Sequence, residues 1–156
     1  MSFSIETVIN QFWLLAILVN AVNALIWWFR AQPHIQNNSA LRVGYTKLIR
    51  GFFLGTTAPW LVMGLGMTAG GIANIADYWV LQTKNPFVVA WWISIWTVIL
   101  LLSYWIWFRG GAESLIKYPG LLSGSPNSPQ AIKRMWLLAV MGSVIAVGVA
   151  FFLKPS

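Results

Sequence analysis

Cysteine is absent from the 156-residue chain. That single absence removes disulfides, thiolate metal ligands and thiol nucleophiles together. Acidic residues number three and histidine one. A lone histidine, His34, cannot supply both axial ligands of a haem. Glycine-rich phosphate loops of the Walker type are missing. No acid, base and nucleophile lie in a pattern that brings them to one place, so the chain reads as non-enzymatic, with no metal site and no cofactor expected.

Charge of either sign is also scarce: 8% of residues are charged and 58% are hydrophobic, against about 25% charged in a soluble domain. A soluble core of this size cannot absorb so much apolar surface. The sequence places it in four runs, at about 8–29, 49–72, 87–108 and 135–153, each near the roughly 20 residues needed to cross about 30 Å of hydrocarbon. At that depth no water satisfies backbone N–H and C=O groups, so the runs are read as helices. The expected fold is an all-α integral membrane protein, a four-transmembrane-helix bundle forming one membrane domain over 1–156. The first run opens with Glu6 and is too long for a cleaved leader, so it is expected to be retained.

The cations that remain are unevenly placed. Arg30, Arg42, Lys47 and Arg50 flank the link 30–48, and Arg109, Lys117, Lys133 and Arg134 sit in the link 109–134, while the opposite side carries Lys84 and Lys154. The positive-inside tendency puts both basic links in the cytoplasm and both termini outside, in a bacterial inner membrane or its equivalent. His34 and Asp77 then fall on opposite sides of the bilayer, which disfavours a Ser-His-Asp set. Tryptophan, abundant at eleven residues, supports the same arrangement. Trp13, Trp79, Trp91 and Trp92 sort to the outer boundary and Trp27, Trp28, Trp105, Trp107 and Trp136 to the inner one, where an indole keeps its ring in lipid and its N–H near water. Tyr78 and Trp79 in the outer link are expected to face lipid.

The cationic side chains, with Tyr118, form an expected docking surface for anionic lipid or a protein partner. Nucleic acid is not expected, because the net charge of +7 sits beside helix ends rather than on a separable domain. Between the spans, Ser39 is read as the cap of a helix starting at Ala40. Asn37-Asn38-Ser39 matches a glycosylation acceptor but falls on the cytoplasmic side. A short helix is expected over Ala112–Tyr118, with Glu113 paired to Lys117 and Pro119 as its stop. Ser128 and Pro129 read as the cap and first position of the last helix. Trp28-Phe29-Arg30 recurs as Trp107-Phe108-Arg109 at an offset of 79 residues, with Trp13 and Trp92 at the same offset. Either the chain is two repeated helical hairpins, or both helices use the same interfacial anchors.

Small residues suggest which helices touch. Gly51, Gly55, Ala58, Gly66, Ala69 and Ala73 mark one side of the second span, where Gly51 with Gly55 and Gly66 with Gly70 read as Gly-x-x-x-Gly, and Ala139, Gly142, Ser143, Ala146 and Ala150 mark one side of the fourth. Helices in lipid are held by close approach at such positions, so the second and fourth spans are expected to pack together, with a dimer through either face as the competing reading. No ionisable residue lies at mid-depth. Asn20, Asn23, Thr56, Thr57, Ser94, Thr97 and Ser103 form a possible polar path, although bonds between helices are the more common use of such groups. Trp60, beside the helix-breaking Pro59, and Trp96 are candidates for a cavity holding a lipid, quinone or pigment tail. The function read from these features is a membrane subunit or assembly factor of a larger complex; the alternative is a channel or transporter formed by oligomerisation.

Overall fold

A computed structural model of the chain describes residues 10–80, 84–122, 126 and 128–152, with 149–152 described by backbone alone. All regular structure among these residues is helical. The elements are α1 (Phe12–Asn37), a 3-10 turn at Ser39–Leu41, α2 (Arg42–Ala69), a second 3-10 turn at Ile75–Trp79, α3 (Pro86–Phe108), α4 (Gly111–Lys117) and α5 (Pro129–Phe152). Helices α1, α2, α3 and α5 are long and apolar enough to cross a membrane. The start expected at Val8 and the end expected at Leu153 lie outside the described residues.

The first link is shorter than its composition implies. Helix α1 runs on through Pro33 to Asn37, because ridge contacts with α2 continue to Ala31, Ile35 and Tyr45. The side chain of Asn38, not Ser39, caps the turn that follows by accepting from the Ala40 N–H at 3.1 Å. In the third link the expected short helix forms as α4. Gly110, at φ +70°, occupies its N-cap in the left-handed region that glycine enters freely, and Gly111 lies flat against the Trp105 ring, leaving no room for a Cβ. Glu113 pairs with Lys133 of α5 at 3.5 Å rather than with Lys117, which lies over the Tyr118 ring. Ser128 accepts from the Ala131 N–H at 3.2 Å, as expected of the cap before Pro129.

Packing departs from the expected pairing of the second and fourth spans. Helix α2 packs chiefly against α1 along one side and α3 along another, while α5 touches α3 more sparsely. The α1–α2 contact is continuous: Trp13 lies on Gly64, Asn20 bonds the Thr56 carbonyl, and Trp27 meets Phe52 with ring centroids 4.1 Å apart. The α3–α5 contact lies mainly at the basic end, through Ile106 with Ile132 and a 2.9 Å bond from Trp136 Nε1 to Ser103 Oγ.

Two buried clusters close the ends. At the end remote from Arg30 and Arg50, the link after α2 folds inward. Tyr78 is fully buried, donates to the Met63 carbonyl at 2.8 Å, and accepts the Trp92 indole N–H on its own carbonyl at 2.9 Å. Tyr78 therefore does not face lipid, and neither do Trp91 and Trp92, which are 1% and 9% exposed. Trp79 is about half exposed. Asn10 fastens this link to the start of the chain by donating to Ala73 O and accepting from Ile75 N. At the basic end, the segment after α4 lies across the α1–α2 hairpin. Tyr45 donates to the Pro119 carbonyl at 2.9 Å, Leu121 is buried, and Gly120, at φ +86°, turns the chain beside Arg30.

Candidate functional site

Three surfaces gather the residues singled out from the sequence. The first is the basic end. Arg30, Arg42, Lys47, Arg50, Arg109, Lys117 and Arg134 are exposed, and Lys133 is the one among the eight cations there that makes an ion pair among the described residues. Helical spacing sets Lys47 and Arg50 on the outward side of α2, above exposed Leu54, Leu61 and Leu65. Lys133 also lies 5.9 Å from the centre of the Trp107 ring. Tyr118 belongs elsewhere. Its ring fills the position a Cβ on Gly44 would take and meets Tyr45 edge-on at 5.0 Å, so it fastens the third link rather than presenting a docking group.

The second surface is the small-residue side of α2, and it divides in two. Its upper half is covered: Tyr78 and Phe87 lie on Gly66, and Phe87 lies on Gly70. Its lower half is open, with nothing within 4 Å of a Cβ built on Gly51 or Gly55, and Ala58 is exposed. The corresponding positions of α5 are open as well: Ala139 and Ala146 are exposed, Ser143 is half-buried and bonds back to Ala139 O at 2.9 Å, and Gly142 has empty space around it.

Most of the polar side chains within the spans are engaged in separate hydrogen bonds. Asn20 donates to Thr56 O between α1 and α2, and Thr56 donates back to Phe52 O. Ser94 donates to Trp91 O and Ser103 accepts from Trp136. Asn23 is half-buried on α1. Thr57 is buried, and its hydroxyl and the Trp91 indole N–H are the buried polar side-chain atoms without a partner among the described residues. Trp60 packs edge-on against Phe12 at 5.7 Å, and both it and Trp96 lie against the buried cluster around Met63 and Trp91.

The third surface is a groove of about 470 Å³ along α3, lined by Val89, Trp92, Ile93, Trp96, Thr97 and Leu100 together with Val88. These positions continue the helical face that carries Ser103 and Trp107, which meet α5 nearer the basic end. The sequence flagged Trp96 and Thr97; Trp92 was assigned to a boundary belt and the aliphatic lining was indistinguishable from ordinary span residues.

The inward packing of Tyr78, expected to face lipid, and the contacts of Tyr45, Gly44 and Gly64 are legible only in the fold. Glycines within otherwise helical runs were the available signal, but their partners come from distant segments. Burial pushes the Tyr78 phenol up to about 12. No group of three or more metal-ligating side chains gathers among the described residues. No known family, no curated protein and no solved structure matches the chain.

Proposed function

We propose that the chain is a multi-pass membrane subunit without a catalytic role, which docks to other membrane proteins or to further copies of itself and holds anionic lipid at its basic end. The observation that carries this reading is the open lower face of α2, where Gly51 and Gly55 meet nothing among the described residues and Ala58 is exposed. Hydrocarbon chains gain little from small residues, whereas a neighbouring helix gains close backbone contact. Helix α5 extends the same reading, since it leaves Leu138, Met141 and Ile145 at least half exposed. The four long helices cross the membrane with both basic links in the cytoplasm and both termini outside, in a bacterial inner membrane or its equivalent. The seven cations there that make no ion pair among the described residues then lie among lipid phosphates, each contributing about 1 kcal/mol of attraction to an anionic surface.

Photo-crosslinking tests this in the native membrane. A photoreactive side chain at Ala58 or Leu138 should give discrete protein adducts, and one at Leu18, on the outer side of α1, should give lipid adducts alone. Lipid adducts at all three positions would overturn the reading. The alternative, a channel or transporter, is weakened by the engagement of Asn20, Thr56, Ser94 and Ser103 in bonds to backbone or to Trp136. Solute flux through liposomes holding the purified chain, above that of empty liposomes, would restore it.

A further inference from the structure

We infer that the α3 groove is a binding site for a lipophilic quinone, an aromatic ring with two carbonyl oxygens on an apolar tail. Its volume of about 470 Å³ lies within the range of small-molecule sites, roughly 300–1,000 Å³. Val89, Ile93 and Leu100, on its rim, are 46%, 60% and 65% exposed, so an occupant dissolved in hydrocarbon enters from the side.

The polar groups select the occupant. Trp96 is near the middle of the 23-residue α3, about 15 Å from either end. Neither its indole N–H nor the Thr97 hydroxyl has a hydrogen-bond partner among the described residues. Thr46, Thr56 and Thr68 turn their hydroxyls back onto the carbonyl four residues earlier, whereas Thr97, like Thr57, makes no such bond among the described residues. Both residues line the groove, at a depth where water is absent and an unpaired polar group is costly. A glycerolipid tail carries no acceptor there, because its ester oxygens sit at the boundary. A quinone carbonyl does reach that depth, and its ring matches the indole faces of Trp92 and Trp96. Trp92 is held ready for this contact, since its N–H is fixed on the Tyr78 carbonyl and its ring meets Trp91 edge-on. The tail then follows the aliphatic lining. This site is independent of whether α2 and α5 dock to a partner.

Titration of the purified protein in nanodiscs with decylubiquinone, followed by quenching of tryptophan fluorescence, tests the assignment. The expected result is saturable quenching beyond that of partition into the bilayer, with decylbenzene, which has no carbonyl, producing none. Thr97→Val should weaken the midpoint about fivefold, the equivalent of one neutral hydrogen bond; Trp96→Phe should do the same, and the two together more. Leu100→Trp, at an exposed position that fills the groove without disturbing the core, should abolish saturation while leaving the thermal transition unchanged. Linear quenching without saturation, equal competition by decylbenzene, or an unchanged midpoint in the double variant would overturn the proposal.

Discussion

The hydroxyl of Tyr78 occupies the space that a methyl group on Gly66 would need, while donating to the carbonyl of Met63 one turn below. That contact fixes the whole link between α2 and α3, because the Tyr78 carbonyl in turn holds the Trp92 indole. Gly66→Ala forces Tyr78 out and also crowds the Phe87 Cβ, which cannot rotate away. A loss of about 1–3 kcal/mol is expected from such overpacking, read as a lower midpoint in detergent-monitored unfolding. Tyr78→Phe keeps the ring and loses one bond, so its loss should be smaller, about 1 kcal/mol.

The same tyrosine gives the fold a pH dependence at the alkaline end. Its native value of about 12 exceeds the roughly 10 of an unfolded tyrosine. Below about pH 10 both states hold the proton and the contribution is complete. As pH rises from about 10 to 12 the unfolded chain loses its proton first, so stability falls across that window. Thermal unfolding against pH should show this decline in the wild type and a shallower one in Tyr78→Phe. Equal slopes would show that Tyr78 is not the group responsible.

Gly44 plays a matching part at the basic end, where the Tyr118 ring sits on it. Gly44→Leu should displace Tyr118 and weaken the Tyr45 to Pro119 bond, loosening the segment after α4. Cleavage by trypsin at exposed Lys117 is expected to accelerate in this variant, with little change at Arg30, which lies inside continuous α1. Unchanged cleavage at Lys117 would mean that the segment is held by other contacts.

Gly51→Leu and Gly55→Leu separate folding from association. Neither meets a neighbour among the described residues, so both variants should unfold at the wild-type midpoint within about 0.5 kcal/mol. Association, measured by native mass spectrometry from mild detergent or by the Ala58 crosslink, should be lost. A destabilised but still associating variant would reverse the assignment.

Glu113 and Lys133 make an exposed pair, with side chains 54% and 25% accessible. Glu113→Gln should therefore change stability by less than about 1 kcal/mol. A larger effect would place the pair in a more enclosed setting than α4 and α5 now give it.

Much of this architecture follows from short-range information. Helix extents depend on runs of apolar residues and on local caps such as Ser128 and Gly110, which act within a few positions. Partner choice does not. Gly51 and Gly66 sit on one face of α2 and look alike in sequence, yet Tyr78 and Phe87 cover one and leave the other bare. Trp91 and Trp92 fit a boundary belt by position, but the inward fold of Ile75–Trp79 buries them. The groove was half legible: Trp96 and Thr97 stood out as polar groups at mid-depth, while the bond that fixes Trp92 depends on a residue fourteen positions away.

The central claim is that both basic links share one side of a membrane, and the cysteine-free chain suits its test. Ser39→Cys, Ala76→Cys and Gln130→Cys, made singly, are to be labelled in sealed, oriented vesicles with a membrane-impermeant maleimide. The account predicts that Ser39→Cys and Gln130→Cys react from the same face and Ala76→Cys from the opposite one. Labelling of Ser39→Cys and Gln130→Cys from opposite faces would contradict it.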